Sequence, residues 1–136
     1  MRRRRSGRLP AGLSVTRFHV ALWTAACLLA GCARDEPLAP RVAGGNADRG
    51  RALMAQYQCG ACHAIPEVAA ARGTAGPSLA GFGQRSYIAG RLPNLPEPLV
   101  AWIVNPPAMV PGTRMPAMGV SEADARHMAA ALYAPQ

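Results

Sequence analysis

The chain contains no lysine. All fifteen cations are arginine, and six of them (Arg2, Arg3, Arg4, Arg5, Arg8 and Arg17) precede the first apolar run. Removing the first 31 of the 136 residues, as argued below, leaves 105 residues with nine arginines against seven acids, a net charge of +2 instead of +8. That balance removes the basis for nucleic-acid binding driven by bulk charge. Aromatic side chains are scarce: beyond residue 32 there are only Tyr57, Phe82, Tyr87, Trp102 and Tyr133. A chain of this length forms one domain at most. With so few large side chains it needs a staple, whether disulfides, a metal or a bound cofactor. Alternating apolar and polar runs are missing as well; none is long enough for a sheet, so the fold reads as all-α.

What is present begins with an address. Residues 1–17 carry the positive charge, and 18–31 (FHVALWTAACLLAG) form an apolar stretch of fourteen, broken only mildly by His19 and Thr24. This is the anatomy of an export signal, and it is short of the roughly 20 apolar residues of a spanning helix. Its last residues, Leu29-Ala30-Gly31-Cys32, resemble the lipobox of bacterial lipoproteins, in which Cys32 becomes the acylated first residue. Ordinary cleavage a residue or two later is the alternative. Residues 33–45 (ARDEPLAPRVAGG) are rich in Pro, Gly and charge and lack a helical or strand period, which reads as a flexible tether. The expected organisation is a lipoprotein-type signal over 1–31, a lipidated cysteine and tether over 32–45, and a folded domain over 46–136. The expected location is the bacterial periplasm, held to a membrane by the lipid, or soluble there if Cys32 is not acylated.

With Cys27 and Cys32 assigned to targeting, the folded part keeps Cys59 and Cys62, in Cys59-Gly60-Ala61-Cys62-His63. This is the attachment pattern of haem c. Two thiols three residues apart add to the two vinyl groups of one haem, and His63 then lies under the iron as its proximal ligand. A thioredoxin-like redox pair would favour a βαβ setting, and a zinc site needs four ligands; neither finds its remaining parts in this sequence. A second axial ligand has candidates in Met54, Met109, Met115, Met118 and Met128. Met54 and Met128 fall on helical apolar stripes and read as core. Met115, in Pro111-Gly112-Thr113-Arg114-Met115-Pro116, is the expected ligand because Gly and Pro hold an extended loop without helix hydrogen bonds to satisfy. Met118 is second and Met109 third. A thioether opposite His raises the reduction potential by favouring iron(II).

Three helices frame these loops. Asn46 caps one over 47–57, with Gly50, Leu53, Met54 and Tyr57 on its apolar face and Gly50 allowing a close crossing. Ser121-x-x-Asp124 is a capping box for the last helix, through Tyr133, with Ala125, Met128, Ala129 and Leu132 as its stripe. A third starts near Pro96 and Pro98, is stopped at Asn105 by Pro106-Pro107, and buries Leu99, Trp102 and Ile103. His127 lies one position off the last stripe and reads as a surface side chain.

From about residue 48 to 133 the chain resembles a monohaem class I c-type cytochrome. The likeness runs through Gly50, the Cys59–His63 motif, Gly76-Pro77-Ser78-Leu79, Gly83 with Arg85, Trp102, Asn105-Pro106, and Pro111 to Met115. It implies a small fold of about three to four helices wrapped around one covalent haem c. It also implies that the Pro77 carbonyl accepts the His63 Nδ1 proton, and that Arg85 and Thr113 hydrogen-bond a haem propionate. The stretch 85–116 is especially similar to the cytochrome domain fused to subunit II of some bacterial haem-copper oxidases. That likeness implies an oxidase as redox partner and brings Asn94 and Trp102 to the haem edge or propionates; for Trp102, a core anchor that merely covers haem is the alternative. Two features depart from the family. Met54 and Leu132 stand where aromatics often pack the first helix on the last, and no ring of lysines surrounds the haem edge.

The expected activity is that of a monomeric respiratory-chain electron carrier, not an enzyme: with His63 and Met115 on the iron, no site is open for substrate. The alternatives are a haem enzyme or gas sensor with a displaceable Met115, and a structural lipoprotein in which haem serves only as a folding staple.

Overall fold

The computed structural model describes residues 40–135. The expected signal over 1–31, the acylation site Cys32 and most of the tether lie outside the described residues. Among the described residues the order is helix α1 (Ala47–Gln56), strands β1 (Tyr87–Ile88) and β2 (Leu92–Pro93), helix α2 (Pro96–Val104), the single turn α3 (Pro106–Met109) and helix α4 (Glu122–Tyr133). Short 3-10 turns occupy Cys59–Ala61 and Phe82–Gln84. No described helix is long and apolar enough to cross a membrane.

Local chemistry accounts for the helix boundaries. Asn46 is extended (φ −131°), and its side-chain oxygen accepts from the Arg49 amide at 2.8 Å, satisfying one of the open donors of α1. Ser121 does the same for α4, its hydroxyl accepting from the Asp124 amide at 3.1 Å. The Asp124 carboxylate accepts from the Tyr57 hydroxyl at 3.1 Å, so the residue read as the second half of a capping box also ties α4 to the end of α1. The Asp124 acceptor beside it raises the Tyr57 hydroxyl pKa above its usual value.

α1 and α4 form the most extensive helix pair. Leu53 and Met54 of α1 are buried against a face of α4 made of Ala125, Met128, Ala129, Ala131 and Leu132. Gly50 sits at their closest approach, where a β-carbon would land on the His127 carbonyl and 3.0 Å from the Ala131 side chain. α2 adds Leu99, Val100, Trp102 and Ile103 to the same core.

Three details go beyond the sequence reading. The fold is mostly helical, as expected, with one small sheet added: β1 and β2 pair antiparallel, Ile88 opposite Leu92, around Ala89 (φ +50°) and Gly90 (φ +70°), with the Arg91 amide closing on the Ile88 carbonyl at 3.0 Å. Successive left-handed residues are what a tight hairpin turn demands, and strands of two residues are too short to show an alternating pattern. Second, Pro106-Pro107 ends α2 and also begins α3, since proline is compatible with a first helical turn. The Asn105 side chain caps this turn, accepting from the Ala108 amide at 3.3 Å. Third, the folded body begins before Asn46. Val42 is buried, the Gly45 amide closes a turn on its carbonyl at 3.0 Å, and Gly45 lies so close to α4 that a β-carbon would sit 2.6 Å from the Ala130 side chain. His127 is half-buried and belongs to this contact, its Nδ1 accepting from the Asn46 amide at 3.0 Å.

Candidate functional site

The Cys59–His63 segment leaves α1 through Gln58, a left-handed residue at φ +55° that ends the helix. The tight turn that follows directs the amides of both Cys62 and His63 at the Cys59 carbonyl, at 3.3 and 3.0 Å. Cys59 is half-buried against the core, and Cys62 is exposed; neither is in a disulfide. Burial pushes the Cys59 thiol pKa up. Among the described residues no three His, Cys, Asp or Glu side chains gather into a group that could hold a metal ion.

A second segment, 73–79, runs beside this turn and backs it. Gly73 donates to the Gly60 carbonyl (3.0 Å), Gly76 to Cys62 (2.8 Å) and Leu79 to Ala64 (2.8 Å). The approach is too close for side chains. A β-carbon at Gly60 would meet Ala71 at 2.6 Å, and one at Gly73 would meet the Ala61 carbonyl oxygen at 2.5 Å. At Gly76 it would enter the His63 ring, 2.5 Å from Cε1 and 2.7 Å from Nδ1. The imidazole therefore packs against a position where any side chain would force it to move.

The ring is oriented by one further contact. His63 Nδ1 lies 2.7 Å from the Pro77 carbonyl oxygen. A carbonyl only accepts, so Nδ1 is the protonated nitrogen and Nε2 of the neutral ring carries the free lone pair. This is the arrangement by which a protein fixes the tautomer of a metal-binding histidine.

Met115 is half-buried and packs on the core, as do Cys59, Leu79 and Met109. Its loop is held locally. The Thr113 amide closes on Val110 at 3.1 Å after Gly112 (φ +82°), and the Thr113 hydroxyl accepts from the Met115 amide at 3.3 Å. Met118 is 47% exposed, whereas Met54 and Met128 are buried in the helix interface, 3% and 1% exposed. Burial thus places Met109, third among the loop candidates by sequence, nearer to Met115 in character than Met118.

Trp102 is buried on α2. Arg85 donates from Nη2 to the Ser78 and Ala80 carbonyls at 2.5 and 3.1 Å, with its guanidinium 5.4 Å from the Phe82 ring centre. Asn94 is buried; its amide donates to the Phe82 and Arg85 carbonyls, both at 2.9 Å, and its oxygen accepts from the Tyr133 hydroxyl at 2.9 Å. Both amide hydrogens of Asn94 are occupied by main-chain oxygens, so neither is left for a propionate. Gly60, Gly73 and Tyr133 have no counterpart among the residues singled out from sequence. The density of glycine around the cysteine motif was the only signal for the first two.

No family model matches the chain, and no solved structure does. Over 71 residues it is 41% identical to cytochrome c oxidase subunit 2 of Alkalihalophilus pseudofirmus. The chain is similar to an oxidase subunit. The match takes in 52% of this chain but 20% of the oxidase subunit, so the chain spans about a fifth of that relative's length. It links the chain to the second subunit of haem-copper oxidases.

Proposed function

We propose that this protein is a membrane-tethered periplasmic electron carrier holding one haem c, attached through Cys59 and Cys62 and ligated by His63 and Met115, and that it exchanges electrons with a respiratory haem-copper oxidase. The observation that carries the reading is the contact of His63 Nδ1 with the Pro77 carbonyl at 2.7 Å. It leaves Nε2 as the coordinating atom, in a segment that also presents two thiols free of each other.

The residues present fit the group. The two thiols lie three residues apart in the sequence and are free of each other, Gly76 places no side chain against the imidazole, and Met115 offers a thioether from a loop that packs on the core. When bound, the haem supplies a one-electron couple between iron(III) and iron(II). The chain's own part is to hold and shield. Pro77 and Gly76 fix the plane of His63, Thr113 braces the backbone of Met115, and the apolar bodies of Leu79, Met109 and Met115 keep water away. Two protein ligands that stay in place in both oxidation states leave no coordination site for substrate and little to reorganise. Docking to the partner is then of the small, transient redox type, below about 1,200 Å². The likeness to an oxidase subunit supports an oxidase as that partner, and acylation of Cys32 would keep the domain near it.

The test is production in a periplasm equipped for haem attachment. The expected product is a coloured protein with a Soret band that survives denaturation, because the haem is covalent. In the reduced state at neutral pH it should refuse carbon monoxide, and Met115→Ala should lose the sulfur-to-iron charge-transfer band and fall in reduction potential. A colourless product would overturn the reading, and prompt carbon monoxide binding by the unmodified protein would turn it into that of a ligand-binding haem protein.

A further inference from the structure

We propose that Arg85 and Asn94 are positioning residues for His63, acting through the main chain that carries Pro77; the proposal rests on the haem-carrier reading above. The geometry forms one continuous line. The Pro77 carbonyl receives the His63 Nδ1 proton at 2.7 Å. The following segment is gripped by a single guanidinium nitrogen, Arg85 Nη2, which donates to both the Ser78 and the Ala80 carbonyls. The Ser78 hydroxyl tightens the same turn by accepting from the Ala80 amide at 3.2 Å. Arg85 itself is fixed from behind, because Asn94 donates to the Arg85 and Phe82 carbonyls while the Asn94 amide donates to the Ser86 carbonyl at 3.0 Å. Asn94 is in turn held by the Tyr133 hydroxyl of α4, the best-packed helix of the domain.

Two features make this a device and not incidental packing. Asn94 is 9% exposed with all three of its side-chain hydrogen-bonding partners inside the protein, so its bonds are shielded from water and define one geometry. And the grip falls on the residues directly after Pro77, where a small shift changes the length of the bond to His63. A shorter Nδ1–H···O bond gives the ring more imidazolate character and a stronger push of electrons toward a bound metal; a longer one weakens that push. The Arg85 grip therefore sets the donor strength of His63 from outside the ligand set.

The experiment uses the haem-loaded protein and two substitutions that preserve charge, so that no change in potential arises from a lost cation. Arg85→Lys removes the planar donor fork; Tyr133→Phe removes only the hydroxyl that holds Asn94. In the reduced, diamagnetic state the hydrogen exchange of His63 Nδ1–H is followed by NMR alongside the reduction potential. The expected result is exchange about tenfold faster in Arg85→Lys, a smaller change in the same direction in Tyr133→Phe, and an upward shift of potential in both. Unchanged exchange in both variants overturns the proposal, and so does a shifted potential with unchanged exchange, which would put Arg85 in direct contact with the haem. Should Arg85→Lys fail to fold, Tyr133→Phe decides by the same criteria. Failure of the carrier reading is separately visible, as a wild-type protein without haem.

Discussion

His63 shows how much of a site can depend on positions that offer no side chain. Its ring rests where a Gly76 β-carbon would be, and its orientation comes from a main-chain oxygen. Gly76→Ala should therefore displace the imidazole while leaving both thiols intact. For the proposed haem carrier, the expected outcome is a variant that attaches haem with a reduced low-spin fraction, read from its absorption and electron paramagnetic resonance spectra. At Tyr133, burial pushes the hydroxyl pKa up to about 12 from 10.0. The folded state thus keeps its proton in a range where the unfolded chain has lost it. This stabilising term is fully present below pH 10 and is lost as pH rises toward 12. Urea unfolding between pH 9 and pH 11.5 should show stability falling with pH, and Tyr133→Phe should flatten that fall. At this scale the sequence picks out Cys59, Cys62 and His63 because their spacing is itself the signal. Arg85 and Asn94 were legible as residues of interest, but their hydrogen bonds were not, because their partners are carbonyl groups that every residue carries.

Among the elements, the crossing of α1 on α4 is the joint on which the domain depends. Gly50 meets backbone there, not the flexible end of a side chain, so a methyl group has nothing to push aside. Gly50→Ala should destabilise the fold by about 1–3 kcal/mol, the usual range for overpacking, measured as a lower urea midpoint at unchanged slope. Ser121→Ala removes one cap of α4 and should cost about 1 kcal/mol in the same assay. Both caps and the crossing glycine could be read from sequence because cap chemistry and helical period are local. The hairpin at 87–93 and the turn α3 could not: the first depends on Ala89 adopting a left-handed conformation that alanine does not advertise, and the second on proline acting as a starter where it more visibly acts as a breaker.

At the scale of the whole molecule, charge is sorted rather than spread. Every carboxylate among the described residues is engaged: Asp48 and Glu67 with Arg51, Glu97 and Glu122 with Arg126, and Asp124 with Arg49 and Tyr57. Arg72, Arg91 and Arg114 make no ion pair among the described residues; all are exposed and all lie on loops, Arg114 directly before Met115 and Arg72 directly before the segment that backs the cysteines. Exposed cations in that position attract anions across a distance that salt shortens to about 10 Å at 0.1 M. For the proposed carrier, raising ionic strength should slow electron exchange with an anionic small-molecule reagent and speed it with a cationic one in stopped-flow measurements. Replacing Arg114 with Gln should reduce both dependences.

The sequence by itself determined what is local along the chain: the spacing of two thiols and their histidine, the two helices capped by Asn46 and Ser121, the helix begun at Pro96, and the faces these helices bury. These follow from spacing and propensity over a handful of residues. Only the tertiary structure decided how residues far apart in the chain meet main-chain groups. It laid Gly76 beside His63, drew Val42 into the core, and turned Arg85, Asn94 and Tyr133 toward one another across three segments. Those contacts depend on how close two backbones approach, a distance set by packing of the whole core.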